Sequence, residues 1–211
     1  MNSATEVKTT RHKIRTFFAW TKKSKINTAV RLENQQAKSS RMLTQDQRLA
    51  WINELLTGNA DLLPYRVAGA LLLLYAQPPT KILALKTTAI DFTAHETQIS
   101  LAAEPIPVPE PFAGMLLNHL NNRPNLRAGG GAGANQWLFP GHRSGTHLDP
   151  QTMLVKLRTM GISVLGARNS ALHNLVAEIP PAVVAQLLGY SHNCTQHHAQ
   201  VAGQRWSRYV T

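Results

Sequence analysis

The sequence predicts a mainly α-helical domain with one small β-hairpin, and three observations support this fold class. Helical periodicity with recognisable start and stop signals recurs from residue 44 to residue 191. Residues 62–75 are hydrophobic on nearly all sides, as expected of a central core helix. Strand-like alternation is convincing only at residues 96–111, which is enough for a hairpin but not for an extended sheet.

Basic residues are concentrated at the N-terminus. The 211 residues have a formal net charge of +11, with ten Lys and Arg against two acids in residues 1–41 and twelve against nine in residues 42–211. A positive surface attracts polyanions and releases counterions on binding, so nucleic acid is the first partner to consider. The alternative is a partly disordered arm that only keeps the protein soluble. We divide the chain into this basic arm, 1–41, and one main domain, 42–211.

Composition excludes several classes of protein. The single cysteine, Cys194, rules out an internal disulfide framework. The longest apolar run, residues 67–76, is about half the roughly 20 residues that a bilayer-spanning helix needs. The first residues lack the charged, apolar and small-residue succession of a secretory leader. We therefore expect a cytoplasmic protein that is not associated with a membrane.

Two segments precede the core. Residues 12–26 place Ile14, Phe17 and Phe18 near one helical face among basic residues, which predicts a short amphipathic helix whose aromatic side chains need a covering partner. Residues 31–41 are polar and predict a linker.

The first helices of the main domain have clear boundaries. Thr44 begins a capping pattern before a helix that Gly58 ends. The central helix of residues 62–75 follows and stops before Pro78 and Pro79.

A third helix and the hairpin come next. Residues 80–90 predict a helical segment with Ile82, Leu83 and Leu85 as its inward side chains. In residues 96–111 the second half alternates with prolines, which lack a backbone donor, so this arm must be an edge strand.

The C-terminal half is helical again. Residues 111–121 predict a helix, and residues 127–135 predict a flexible glycine-rich loop. Asp149 as N-cap, Pro150 at the first helical position and Gly161 after the end predict the next helix.

Two final helices are predicted on either side of a proline pair. The first covers residues 167–179, so that Arg168 stands at its start, and the second covers residues 181–191. The helix dipole disfavours a cation at a helix N-terminus, so its presence there favours a functional role for Arg168 over an ordinary surface charge.

In this order of elements, the chain resembles the catalytic domain of the tyrosine recombinases (phage integrase family) over about residues 44–200. The most specific segments are WLFPGHRSGTHLDPQTM (137–153) and PPAVVAQLLGYSHNCT (180–195), which is similar to the family's LLGHSS-x-TT stretch. The segment RTFFAWTKKSKI (15–26) resembles the last helix of the family's core-binding domain, most of which we expect to be missing.

The resemblance implies a particular set of site residues. In the family, two arginines, a hairpin lysine, a histidine three residues before the second arginine and a further His or Trp surround the scissile phosphate. A tyrosine then attacks the phosphate. Guanidinium groups stabilise the negative transition state, and covalent attachment through the tyrosine retains the phosphodiester energy for rejoining.

Most of these positions are substituted in this chain. The second arginine matches Arg168, but the position three residues earlier is Leu165. The first arginine falls at about Pro78, with Lys81 as the nearest cation, and the hairpin lysine has no evident counterpart. The histidine of the LGH motif matches Tyr190.

The nucleophile is also displaced. Its expected position is Ala199, and the alternative nucleophile is Tyr209, ten residues further along the chain. Loss of one donor costs on the order of 10²–10³ in rate, so we expect the chain to lack strand-cleavage activity.

The basic residues of the main domain are candidates for DNA contact or ordinary solvated charges. Together with the basic arm they favour a surface that faces a polyanion. The candidate DNA-binding residues are Lys81, Arg143, Lys156, Arg158 and Arg168.

Histidines near the C-terminus suggest a metal site, but their spacing does not support one. In a helix His192 and Cys194 diverge by about 200° at 3.6 residues per turn, and no two of His192, His197 and His198 are four residues apart. Cys194 could share a helical face with His197 or His198, and a site completed by a partner chain is the alternative. We expect no metal and no cofactor.

The function predicted from the sequence is DNA binding within recombination or integration, as a degenerate, non-catalytic relative or a remnant of a mobile element. Double-stranded DNA is the expected partner, with a companion recombinase or self-association as further options, and nucleoid association if the protein is bacterial. Two alternatives remain: an active recombinase that uses Tyr209, and a partner-binding module or non-functional remnant.

Overall fold

The fold is described by a computed structural model over residues 13–14, 16–26, 42–93, 96–124 and 135–207, with side chains up to residue 203. The chain separates into two compact units, Met1–Ser39 and Ser40–Thr211. The linker predicted at 31–41 and nearly all of the loop predicted at 127–135 lie outside the described residues.

The N-terminal unit contains the predicted amphipathic helix. Residues 13–14 and 16–23 are helical. The ring of Phe17 lies 5.8 Å from that of Phe18 and 6.1 Å from that of Trp20, centroid to centroid. The aromatic side chains of this unit therefore form a small cluster of their own.

The main unit is mainly α-helical with a small antiparallel sheet, which confirms the predicted fold class. Its elements are α1 (Gln45–Thr57), α2 (Leu63–Tyr75), α3 (Pro79–Leu83), β1 (Ile90–Phe92), β2 (Thr97–Ser100), β3 (Pro105–Pro107), α4 (Phe112–Asn121), α5 (Pro150–Thr159), α6 (Val164–Glu178), α7 (Pro181–Leu188) and α8 (His192–Ser207). The strands lie in the order β1-β2-β3.

Helix α2 forms the centre of the core, as predicted. It packs against α1, α3, α4, α5 and α6. Ala68, Leu71 and Leu72 are fully buried. Complete burial of a leucine side chain contributes about 1.5–3 kcal/mol, so this helix accounts for much of the apolar stabilisation.

The helix caps agree with the sequence signals. The Thr44 hydroxyl accepts a hydrogen bond from the Gln47 backbone N–H at 3.2 Å, and the Gln47 side-chain oxygen accepts one from the Thr44 N–H at 3.0 Å. Gly58 ends α1 in an extended conformation. At α5, an Asp149 oxygen accepts from the Thr152 N–H at 2.9 Å. Both N-caps satisfy donors that a helix start leaves unpaired.

The helix predicted over residues 80–90 was wrong beyond its first turn. α3 ends at Leu83, and Lys86 forms an isolated β-bridge with Trp137. Ile90 then enters β1 opposite Ile99, where both side chains are buried. β-branched residues pack well in strands, and this cross-strand burial outweighs the weak helical pattern.

The sheet consequently has three strands instead of the two of the predicted hairpin. β3 is an edge strand, as predicted from its prolines. The Val108 N–H donates to the Thr97 carbonyl at 2.8 Å, so donors at even-numbered positions here face β2. Pro105 and Pro107 occupy the alternate positions, where a backbone N–H would point away from the sheet.

Candidate functional site

A tight turn between α7 and α8 organises the candidate site. Gly189 ends α7 in the left-handed conformation, with φ of +67°. A Cβ at this position would lie 3.2 Å from Lys81 Nζ and 3.4 Å from Ala102 Cβ. Glycine is favoured here by the backbone conformation, and a side chain would in addition press against the end of Lys81. The turn places Tyr190 between α3 and α6.

Arg168 reaches this turn from α6. Its Nε–H donates to the Tyr190 hydroxyl oxygen at 2.9 Å, and its guanidinium carbon lies 5.2 Å from the centroid of the Tyr190 ring. The Tyr190 hydroxyl in turn donates to the carbonyl of Ala76, at the C-terminal end of α2. One tyrosine hydroxyl therefore connects Arg168 to the backbone of the central helix.

Lys81 approaches the same ring from α3. Its Nζ donates to the Gly189 carbonyl at 2.6 Å and lies 5.4 Å from the centroid of the Tyr190 ring. Among the described residues, neither Lys81 nor Arg168 has a carboxylate within ion-pair distance. Two cations therefore flank Tyr190 without a neutralising acid, an arrangement suited to binding an anion.

The Tyr190 phenol is stabilised in its neutral form. Burial raises the pKa of Tyr190, while the hydrogen bond and positive charge of Arg168 oppose part of that rise. The group is a hydrogen-bond donor near neutral pH. Its proton is engaged by Ala76, so Tyr190 is not arranged as an activated nucleophile.

His198 of α8 lies close enough to Arg168 to be influenced by its charge. Burial lowers the pKa of His198, and the nearby His197, Arg168 and His173 lower it further. His198 is thus predominantly neutral at pH 7 and contributes hydrogen-bonding groups instead of charge. The rings of His197 and His198 are 6.1 Å apart.

The C-terminal histidine-rich segment is helical within α8. Over the described ranges, no group of three or more His, Cys, Asp or Glu side chains could hold a metal ion. Cys194 is a free, half-buried thiol in the first turn of that helix.

None of the other candidate DNA-binding residues makes a described contact with this cluster. Lys156 is exposed in the last turn of α5, with Nζ 5.9 Å from the Tyr65 ring centroid. Tyr65 is near the start of α2 and Ala76 follows its end, a separation of about 16 Å along the helix at 1.5 Å per residue. Within the described chain, no hydrogen bond or ring contact joins Arg143, Lys156 or Arg158 to Arg168.

The predicted position of Arg168 within its helix needs correction. α6 begins at Val164 after Ser163, three residues earlier than the sequence indicated. Arg168 is therefore the fifth residue of the helix, and the argument from an unfavourable N-terminal dipole does not apply. Its contact with Tyr190 supports a functional interpretation instead.

Several positions of the family pattern are now located. Pro78 is the N-cap of α3, Leu165 is largely exposed near the start of α6, and Ala199 is half-buried in α8. In the loop after β2, where the resemblance implies a lysine, Leu101 and Ala102 are half-buried. The alternative nucleophile, Tyr209, lies outside the described residues, so its role stays a prediction.

Sequence reasoning missed the contact between Arg168 and Tyr190. Both positions had been aligned with family site residues, and that shared alignment was the available signal for their proximity. The inward direction of the Tyr190 hydroxyl has no sequence signature, because it depends on the left-handed ends of two helices, at Ala76 and Gly189.

Within the described helices, none combines the length and apolar character required to cross a membrane. No protein-family model matches the sequence, and neither does any curated protein.

Solved structures do resemble the fold. The Tn1549 transposon integrase in complex with a circular intermediate DNA aligns with a TM-score of 0.58 and 13% identity, covering 85% of this chain and 68% of that one. XerH site-specific recombinase bound to palindromic difH substrate aligns at 0.60 and 15% identity, over 84% of this chain and 55% of its own. XerA recombinase aligns at 0.60 and 14% identity, covering 85% and 68%. The chain thus has a tyrosine-recombinase catalytic-domain-like fold.

Proposed function

We propose that this chain, whose fold is that of the tyrosine-recombinase catalytic domain, binds double-stranded DNA in recombination or integration without cleaving the strand. The observation that supports this proposal most is the pairing of Arg168 and Lys81 around Tyr190, with no carboxylate to neutralise them in the described part of the chain. The XerH and Tn1549 integrase structures contain DNA, which supports the choice of ligand.

A phosphodiester fits this site by its charge and geometry. Arg168 uses only Nε in its hydrogen bond to Tyr190, so Nη1 and Nη2 remain for the non-bridging oxygens of a phosphate. Lys81 adds a second positive charge beside the same ring. Phosphate contacts of this type position a protein on a duplex irrespective of base sequence.

The same residues argue against strand cleavage. Pro78 and Leu165 supply no donor to a transition state, and Ala199 supplies no nucleophile. Tyr190 has a raised pKa and a hydroxyl proton held by Ala76. Because each missing donor costs on the order of 10²–10³ in rate, binding without chemistry is the activity that this set of residues favours.

A wider interface would include exposed cations and the basic arm. Arg143, Lys156 and Arg158 are exposed and can contact phosphates further along the duplex. We infer that the protein acts in the cytoplasm on the DNA of a mobile element, with a companion recombinase supplying strand cleavage where it is needed.

Duplex binding by the full chain tests the proposal. Fluorescence anisotropy of a labelled duplex, repeated from low to moderate salt, should give an affinity that falls with salt concentration. Arg168→Gln should weaken binding and reduce the salt slope by about 0.9, the value of one phosphate contact.

Arg66→Gln provides the matched control for that variant. Arg66 is also partly buried, but its guanidinium donates to the Leu55 and Leu56 carbonyls at 2.7 and 2.9 Å. The slope should therefore be unchanged in this variant. A salt-independent affinity in the wild type, or an Arg168→Gln slope equal to that of the wild type, would overturn the proposal.

A further inference from the structure

The Tyr190 hydroxyl links the side chain of Arg168 to the backbone carbonyl of Ala76. It accepts from Arg168 Nε at 2.9 Å and donates to the Ala76 carbonyl. Ala76 is fully buried and has φ of +56°, so its carbonyl lies at a left-handed helix end where no helical N–H can reach it. The hydroxyl satisfies an acceptor that would be costly to leave unpaired.

The ring of Tyr190 is fixed as well as its hydroxyl. Lys81 Nζ lies 5.4 Å from the ring centroid and is itself held by the Gly189 carbonyl at 2.6 Å. A cation at this distance from an aromatic ring is attracted by the ring quadrupole. Both ends of the side chain are therefore constrained, which makes Tyr190 a rigid support.

We propose that Tyr190 is a positioning residue that orients Arg168 for phosphate binding. The hydrogen bond from Nε–H to the Tyr190 hydroxyl fixes one side of the guanidinium group, and Nη1 and Nη2 are left for a phosphate. Pre-orienting a long side chain removes part of the rotamer entropy that ligand binding would otherwise have to pay. This inference rests on the proposed function, because it concerns the same anion site.

The direction of the hydroxyl distinguishes this role from direct ligand contact. The resemblance implies a phosphate-facing His or Trp at this position, but here the hydrogen-bonding group of Tyr190 faces the end of α2. Tyr190 acts through Arg168 and does not touch the phosphate. If Tyr190 had a purely structural role, it would stabilise the fold, and the orientation of Arg168 would not affect DNA binding.

A double-mutant cycle on the full chain separates these roles. The variants are Tyr190→Phe, Arg168→Gln and the double variant, each measured for duplex affinity and salt slope. Tyr190→Phe keeps the ring beside Lys81 and removes only the hydroxyl. It should weaken binding about tenfold, the size of one hydrogen bond to a charged group. In the double variant, affinity should equal that of Arg168→Gln alone, because the two residues act as a unit.

Tyr65→Phe is the matched control. Tyr65 is also half-buried with a cation, Lys156, 5.9 Å from its ring centroid, but its hydroxyl has no hydrogen bond to any described residue. Its affinity and slope should equal those of the wild type. Two results would overturn the inference and leave the proposed function intact. The first is that the losses of affinity in the two single variants add up in the double variant. The second is that Tyr190→Phe binds as tightly as the wild type while Arg168→Gln binds weakly.

A second measurement needs no DNA. In a ¹⁵N–¹H spectrum of the full chain, the Arg168 Nε–H should exchange slowly with solvent in the wild type and in Tyr65→Phe. The exchange should become at least tenfold faster in Tyr190→Phe, since its acceptor is gone. Equal exchange rates in all three proteins would contradict the positioning role even if one variant were less stable. Failure of the wild type to bind a duplex, with slow Nε–H exchange, would overturn the proposed function and leave only the hydrogen bond by which Tyr190 orients Arg168.

Discussion

Two groups of arginines in the main unit do different work. Arg48, Arg66 and Arg123 donate to backbone carbonyls: Arg48 to Leu73 in the last turn of α2, and Arg66 to the end of α1. Arg123 donates to the carbonyls of Leu120, Asn135 and Trp137. Arg168, by contrast, donates to a side-chain hydroxyl, and its remaining nitrogens have no acceptor among the described residues.

The difference separates arginines whose donors are used by backbone carbonyls from an arginine that keeps donors for the proposed phosphate contact. Burial lowers the pKa of Arg48 and of Arg123, so both groups incur a desolvation cost that their carbonyl acceptors offset. Arg168 keeps a free donor edge beside a second cation, which contributes little to the fold. A positive charge is therefore not a sufficient criterion for proposing a DNA contact, because an arginine whose donors are taken by backbone carbonyls has fewer left for a phosphate.

The largest expected effect concerns His119, which, like Arg123, donates a hydrogen bond to a backbone carbonyl. His119 is fully buried, its Nε2–H donates to the Leu138 carbonyl at 3.0 Å, and Nδ1 has no partner among the described residues. The pKa of His119 is lowered to about 4, mainly by burial; the hydrogen bond to Leu138 opposes part of this shift, and the charge of Arg123 adds to it. Between pH 6.5 and 4 the unfolded chain binds this proton and the folded chain does not.

Stability should therefore fall as the pH falls from 6.5 to 4, with about 3 kcal/mol lost through this one group. Urea unfolding at several pH values measures it. In His119→Gln, which cannot be protonated in this range, the pH dependence of the free energy of unfolding should be smaller by that amount. Parallel stability curves for the two proteins would show that His119 is not held neutral.

The second effect compares the contributions of Arg66 and Arg168 to the free energy of unfolding. Arg66→Gln should lower the free energy of unfolding by about 2 kcal/mol, because it leaves the Leu55 and Leu56 carbonyls at the end of α1 without their charged donor. Arg168→Gln should lower it by less than about 1 kcal/mol. Chemical denaturation of both variants measures the two free energies of unfolding. A greater loss of stability in Arg168→Gln than in Arg66→Gln would show that Arg168, and not Arg66, is the stabilising arginine.

A smaller effect is expected for the exposed cations of α5. Lys156→Gln and Arg158→Gln should each reduce the salt slope of duplex binding by about 0.9 and leave stability within about 0.5 kcal/mol. Anisotropy over a salt series and a urea titration test both parts. Unchanged slopes in both variants would confine the interface to the region of Arg168 and Lys81.

The smallest expected effect is that of Tyr209 on strand cleavage, where we expect no difference between the wild type and the variant. On a nicked suicide duplex, wild type and Tyr209→Phe should both fail to form a covalent protein–DNA adduct on a denaturing gel, because the proposed function is binding without strand cleavage. An adduct in the wild type that disappears in Tyr209→Phe would instead establish an active recombinase with a displaced nucleophile.

Local sequence signals predicted the fold best where a single residue fixes the backbone. Thr44 and Asp149 as N-caps and the prolines of β3 were all found from the sequence. The region after Leu83 was not, because the helix and strand patterns of residues 84–92 are equally weak and pairing with β2 decides between them.

The candidate site was only partly predictable. Alignment with the recombinase pattern selected Arg168 and noted Lys81, and both lie within about 5.5 Å of the centroid of the Tyr190 ring. The same alignment gave Tyr190 only as a substitution. Its role depends on distances between three helices, and no spacing in the sequence encodes these.

The prolines of β3 also have a consequence for how copies of this protein behave when crowded. Pro105 and Pro107 remove the donors that would point outward from the edge of the sheet. An incoming strand from another molecule therefore has no row of N–H groups to pair with on that side. Copies of the protein can therefore be concentrated without this edge of the sheet seeding an intermolecular β-sheet.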